Sequence, residues 1–259
     1  MTAELKSTSE GRTLVLTLSN PSQRNALGPE MYAAGIEALN GAENSNEIRS
    51  VVLVGEGAWF CAGGSLQRLS ANREREPAVQ AESIEALHNW IDSIRTFPKP
   101  VIAAVEGAAA GAGFSLALAC DFIVSARDAV FAASYSTVAL SPDGGLSWHL
   151  AQALPRQLAS EWLMLGGRIE AQRLHALGLV NEIAENGQAL ATALALANRL
   201  NERAPNSLAS IKELLSDAPG ATLASQLSQE RDHFVRNLHH ANAGIGITAF
   251  LAKETPRYE

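Results

Sequence analysis

The sequence predicts an α/β core followed by a helical C-terminal region. Two short, β-branched apolar runs, Val51 to Val54 and Val101 to Val105, lie about fifty residues apart, and each closes on glycine (Gly55-Glu56-Gly57 and Gly107). Each leads through a loop toward a helical pattern, which is the signature of a repeated strand-helix unit in a spiral or layered fold. Beyond about Gly187 the strand pattern stops and apolar residues recur at helical spacing. The chain has 259 residues, 47% of them hydrophobic and 18% charged, which suits a folded domain with a sizeable core.

The elements follow in order. Thr13 to Leu18 alternates apolar and polar residues and reads as a strand, closed by the turn residues Asn20-Pro21-Ser22. Pro29 to Leu39 has helical apolar spacing, with Pro29 suited to a first helical turn. Val51 to Val54 is a buried strand. Gln80 to Phe97 is a long amphipathic helix with Ile84, Leu87, Ile91 and Ile94 on one face, stopped by Pro98-Lys99-Pro100. Val101 to Val105 and Phe122 to Ser125 are further strands. Gly144 to Leu150 and Arg156 to Leu165 are short helices around Pro155, and Ala171 to Leu177 is another, ended by Gly178. Val180 to Ala184 is a last strand. Leu190, Leu194 and Ala197, then Leu223, Leu227, Phe234 and Leu238, mark C-terminal helices separated by Pro205 and Pro219-Gly220. The expected organisation is a core over 1–186 and a helical region over 187–259.

Bulk properties exclude several functions. The formal net charge is -7, and Lys and Arg are scattered, so there is no nucleic-acid footprint. A mildly acidic protein can still take an anionic ligand through backbone donors and a few basic residues. Cys61 and Cys120 form no C-x-x-C pair, and no Cys/His cluster has zinc spacing. Reduced thiols, a cytoplasmic location and no metal are expected. Met1 to Gly11 is polar and lacks an apolar signal core, and Phe114 to Ile123 is short for a membrane span and broken by Asp121, so no membrane partner is expected.

Two loops invite chemistry. Phe60-Cys61-Ala62-Gly63-Gly64-Ser65-Leu66 follows one buried strand, and Ala108-Ala109-Ala110-Gly111-Ala112-Gly113-Phe114-Ser115-Leu116 follows another. Small residues let backbone approach a ligand closely. The second loop runs straight into a helical pattern, so its amides point outward at a helix N-terminus, a ready site for negative charge. Taken alone, Gly and Ala after a strand more often mean tight packing. Gly111-x-Gly113 is followed by Leu116, so a dinucleotide-binding G-x-G-x-x-G is incomplete.

Together with their surroundings the loops are far more specific. Phe60-Cys61-Ala62-Gly63, Lys99-Pro100-Val101-Ile102-Ala103-Ala104-Val105-x-Gly107, Gly111-x-Gly113 and Cys120-Asp121 occur in this order. Arg24-Asn25-Ala26-Leu27 precedes them, and Pro142-x-Gly144-Gly145, Leu154-Pro155-Arg156 and Ala176-x-Gly178-Leu179-Val180 follow. In these motifs the chain resembles the crotonase (enoyl-CoA hydratase/isomerase) superfamily over roughly residues 10 to 255. The resemblance implies a spiral of β-β-α units with a C-terminal helical trimerisation region, assembled as a homotrimer or a dimer of trimers. It implies an acyl-CoA substrate, coenzyme A entering as part of that substrate, and no tightly bound cofactor. By motif position, the amides of Gly64 and Ala112 would hold the thioester oxygen as enolate charge develops. The family holds CoA through backbone from Ala62 through Ser65 to Leu66, assisted by basic residues. Arg24 matches one of these, and Lys253 matches a lysine that reaches a neighbouring subunit's ligand.

The sequence departs from the hydratase pattern. Hydratases of the family carry two glutamates where this chain has Ser115 and Tyr135. Water addition calls for one group to activate water and one to deliver a proton, and neither residue is an obvious substitute. Asp143, in Leu140-Ser141-Pro142-Asp143-Gly144-Gly145, stands where the isomerase and aryl-CoA dehalogenase branches place an acid used as base or nucleophile. Pro-Asp-Gly is also a favoured turn string. The expectation is an Asp143-dependent acid/base enzyme that shifts a double bond or isomerises a ring in an unsaturated acyl-CoA. Hydration or hydrolysis of an unsaturated or phenylacetate-derived thioester, and a non-catalytic acyl-CoA-binding role, stand as alternatives.

Ser115 and Tyr135 are expected to line the substrate site, and Phe114, Tyr135 and Trp148 to form an aromatic acyl pocket or ordinary core. His149 is a secondary candidate beside Asp143. His88 and His175 read as surface or packing residues, His239-His240 as solvated, and Asp121 as a structural brace.

Overall fold

A computed structural model of the chain describes residues 3–258. A six-stranded sheet carries most of the core. Its strands are β1 (Glu4–Glu10), β2 (Thr13–Ser19), β3 (Ser50–Gly55), β4 (Val101–Val105), β6 (Phe122–Ala126) and β9 (Glu182–Ala184), side by side in that order. β1 and β2 are antiparallel; from β2 onward every neighbour is parallel. A second sheet holds three short strands in the order β5 (Ala108–Ala110), β7 (Val130–Ala132), β8 (Arg168–Glu170).

Parallel strands covered on both faces read as continuous apolar runs, which is why β3 and β4 are buried at every position. The period of two then divides them. Val51, Leu53, Val101, Ala103 and Val105 face a cluster with residues of α1 (Pro29–Glu43) and α3 (Pro77–Thr96). Val52, Val54, Ile102 and Ala104 face Ala189, Ala193, Leu196 and Ala197 of α8 (Ala189–Asn201). The helix that covers this second face therefore comes from beyond residue 186. Between α1 and α3, Gly35 admits the Trp90 indole: a Cβ there would stand 2.2 Å from Nε1.

Each turn of the chain visits the large sheet and then the small one. β4 leads to β5 and β6 to β7, while Cys61, just after β3, bridges Ala109, which pairs with Phe131. This stacking of successive β-β-α turns is the expected spiral. The remaining elements are α2 (Leu66–Arg73), α4 (Ala112–Ala119), α5 (Leu146–Ala153), α6 (Arg156–Leu165), α7 (Ala171–Ala176), α9 (Pro205–Asp217), α10 (Leu223–Leu238) and α11 (Ala241–Ala252).

Five elements lack the apolar periodicity that would announce them. β1 and α2 are mostly polar, and β5, β7 and β8 are only three residues long. α5 begins at Leu146 rather than Gly144, because Gly144 and Gly145 are left-handed (φ 57° and 81°) and cannot continue a helix. Among the described residues, no helix is long and apolar enough to cross a membrane.

Candidate active site

The two glycine-bearing loops lie against one another. Cys61 N–H donates to the Ala108 carbonyl at 3.0 Å, and Ala110 N–H donates to the Cys61 carbonyl at 2.9 Å. Gly63 has φ 92°, and a Cβ on it would stand 2.7 Å from the Ala110 oxygen and 3.2 Å from the Ala112 nitrogen. A Cβ on Gly113 would stand 2.5 Å from the Cys61 oxygen. Only glycine at both positions allows this approach. From the other side, Ala62 N–H donates to the Arg24 carbonyl and Leu27 N–H to the Gly63 carbonyl, which fixes the first loop to the segment after β2.

Gly64, next in that loop, and Ala112, the first residue of α4, line one cavity of about 640 Å³. Among the described residues neither of their N–H groups donates to a loop or turn carbonyl, whereas the N–H groups of Cys61, Ala62 and Ala110 all do. Two free donors in one cavity, one of them at a helix N-terminus, suit a developing oxyanion.

Asp143 lines the same cavity, two contacts hold it, and a third holds Gly144 after it. The Tyr135 phenol donates to Oδ1 at 2.6 Å, the Ser115 hydroxyl donates to the backbone carbonyl at 2.9 Å, and Gly144 N–H donates to His88 Nε2 at 3.4 Å. Burial holds the Asp143 carboxyl above the ordinary aspartate range, against the opposing pull of the Tyr135 bond and of His88. Burial and the Asp143 charge push the Tyr135 phenol far above an ordinary tyrosine, so it stays protonated and donates. Tyr32, across the cavity, is pushed up to about 12, chiefly by burial.

The expected site residues divide. Gly64, Ala112, Ala62, Ser65, Leu66, Tyr135 and Asp143 meet in the cavity. Ser65 also caps α2, its Oγ accepting from Arg68 N–H at 3.4 Å. Ser115 does not face the cavity; it is fully buried beneath it and holds Asp143 from behind, because the left-handed Gly144 brings the backbone against it. Arg24 is left-handed (φ 50°), with its guanidinium 4.9 Å from the Trp59 ring centre, outside the cavity lining. Lys253 caps α11, also outside the lining.

The aromatic pocket reduces to Tyr135. Phe114 packs in the core against Phe131, and Trp148 lies exposed beneath Arg95. His149 is edge-on to Trp148, its pKa pushed down to about 4, chiefly by burial. His88 is exposed, as expected of a surface residue, but it also lines the cavity, as do Tyr32 and Arg68. The signal for His88 is its place four residues after Ile84, which puts both on the side of α3 that lines the cavity; nothing in the local sequence singles out the other two. Asp121 braces the core, accepting from Val101 N–H at 2.8 Å and Lys212 Nζ at 2.7 Å.

The enoyl-CoA hydratase/isomerase family matches residues 8–259. The chain belongs to this family. As a family member it is an enzyme of CoA thioester chemistry. The 1,2-epoxyphenylacetyl-CoA isomerase of Escherichia coli is 34% identical over 250 residues, 96% of this chain and 95% of that protein. The 2,3-dehydroadipyl-CoA hydratase of the same organism is 32% identical over 257 residues, 99% of each chain. In three dimensions, the crystal structure of an enoyl-CoA hydratase from Polaromonas sp. JS666 shares 73% identity at a TM-score of 0.98, over 99% of this chain and 100% of that one. These relatives are named for both reactions.

Proposed function

We propose that this family member isomerises an unsaturated acyl-CoA, using Asp143 to move a proton and the amides of Gly64 and Ala112 to hold the enolate oxygen. One observation carries the reading: Asp143 is the only carboxylate among the described residues that line the cavity shared by the two free amides. A single carboxylate suffices for a 1,3 proton transfer. It takes a proton from one carbon, charge collects on the thioester oxygen facing the two N–H groups, and the proton returns to another carbon. A carboxyl raised by burial is better matched to that exchange near neutral pH than an ordinary one.

CoA lies along Ala62, Ser65 and Leu66, with Arg24 nearby on the surface and Lys253 serving a neighbouring copy's ligand. The core over 1–186 carries the site, and the helical region over 187–259 carries assembly into a trimer or a dimer of trimers, its first helix α8 also covering the sheet. The exposed Phe234, Phe250 and Leu251 support that assembly role. A second reading, hydration or hydrolysis with Asp143 acting on water, draws support from His88, a further titratable group in the cavity.

The test is turnover on crotonyl-, 3-enoyl- and phenylacetate-derived CoA esters by the wild-type enzyme and Asp143→Asn. Loss of about a hundredfold or more in the variant, with acyl-CoA still bound, supports the reading. Near-normal turnover by the variant overturns it. A product that has gained water moves the assignment to the second reading, and binding without turnover on every ester leaves only a binding protein.

A further inference from the structure

We propose that Tyr135 is a positioning residue for Asp143: its phenol pins Oδ1 and leaves Oδ2 as the one oxygen free to exchange a proton with the substrate. The inference rests on the reading of Asp143 as the base. Among the described residues, Tyr135 is the only side chain that donates to the carboxylate, at 2.6 Å. Tyr135 is 8% exposed and lines the cavity, so its ring is held by the core while its hydroxyl reaches the site.

With Asp143 ionised, the distances assign the direction of the hydrogen bonds. Ser115 and Tyr135 each have one hydroxyl hydrogen. The Ser115 hydrogen goes to the Asp143 carbonyl at 2.9 Å rather than to the Gly111 carbonyl at 3.4 Å. The Tyr135 hydrogen goes to Oδ1, and the 3.3 Å contact between the two hydroxyls is left without one. Both hydrogens thus converge on Asp143, one on its backbone and one on its side chain. The last torsion of an aspartate is otherwise broad, and a misplacement of about 1 Å at a reacting group can cost on the order of a hundredfold in rate.

The same bond sets the ionisation of the base. Around Asp143, His88 comes from α3, Tyr32 from α1 and Tyr135 from the segment after β7. A hydrogen bond to the charged carboxylate favours that form and opposes burial. Removing the phenol hydroxyl must therefore raise the Asp143 pKa.

The experiment compares the wild-type enzyme with Tyr135→Phe. Carbon-13 NMR of the aspartate carboxyls, with the Asp143 signal assigned by its loss in Asp143→Asn, should show titration at higher pH in Tyr135→Phe without any substrate. With 3-enoyl-CoA as the probe, kcat should fall about tenfold or more, KM should change little, and the acid limb of kcat/KM should move up in pH. A merely structural role would lower Tm and leave the titration in place. An unmoved Asp143 titration overturns the proposal, as does an unchanged kcat where Asp143→Asn is inactive. Full activity of Asp143→Asn instead removes the base reading itself. Should Tyr135→Phe not fold, 3-fluorotyrosine at this position reverses the sign: its more acidic phenol is a stronger donor, so the titration should move down, and no movement overturns the proposal.

Discussion

The Asp143 carbonyl accepts the Ser115 hydroxyl at 2.9 Å, with Ser115 fully buried behind the cavity. A Cβ added to Gly144 would stand 2.8 Å from the Ser115 Cβ, so the space between them is already taken. A longer acidic side chain at 115 has no room here and would place a second negative charge beside Asp143. Ordinary hydration of crotonyl-CoA should consequently run well below the roughly 10 per second typical of enzymes. Ser115→Glu should not restore it, and should destabilise the fold by about 3 kcal/mol or more through an unpaired buried charge. Steady-state hydration assays and denaturant melts check both; brisk hydration by the wild-type enzyme would overturn the argument.

The raised pKa of Asp143 has a sign for stability as well as for rate. Its folded pKa lies above the ordinary value, so between the two the folded state binds more protons than the unfolded one, and stability falls as pH rises through that window. At neutral pH the ionised carboxylate is a cost to the fold. Asp143→Asn should raise Tm at pH 7 relative to the wild-type enzyme, and the difference should shrink as pH falls through the folded Asp143 pKa and be lost below the unfolded aspartate pKa. Calorimetry at several pH values measures it. A lower Tm at pH 7 would show that the carboxylate contributes more through its bonds than burial removes.

Adjacent glycines in the first loop should respond oppositely to alanine. Gly63 has φ 92° and no space, whereas a Cβ on Gly64 would meet only Leu69 Cδ1 at 3.9 Å. Gly63→Ala should destabilise by roughly 1–3 kcal/mol, and Gly64→Ala should fold normally. Gly64→Pro removes the N–H proposed to hold the enolate, and turnover should fall about a hundredfold to a thousandfold. Thermal melts of all three variants, with kinetics of the two at Gly64, separate packing from catalysis.

The C-terminal helices should assemble. Leu223 and Phe234 of α10 are 74% and 69% exposed, and Phe250 and Leu251 of α11 are 83% and 77% exposed. Sedimentation should give a trimer or hexamer at micromolar concentration. Phe250→Asp together with Leu251→Asp should shift it toward monomer, because charges do not bury without partners. A wild-type monomer at that concentration would falsify the assembly.

Local sequence determined the central parallel strands, because residues buried on both faces must be apolar throughout. It also determined the helix read over 80–97 and observed over 77–96 through its apolar stripe, and glycine at 63 and 113 through the closeness their motifs demand, while Gly111 answers to a positive φ of 50°. The family motifs brought Gly64, Ala112 and Asp143 to attention. Tertiary structure decided what local pattern does not encode. Ser115 and Tyr135 have the same short-range appearance as any helix-start serine and loop tyrosine; only the turn through Gly144 and Gly145 places one beneath Asp143 and the other against its carboxylate. His88, fifty-five residues before Asp143, joins the site because α3 lines the cavity with Gln80, Ser83, Ile84 and Leu87. The three-residue strands at 108–110 and 168–170 were invisible because a strand that short is made by its neighbours' hydrogen bonds and carries no periodicity of its own.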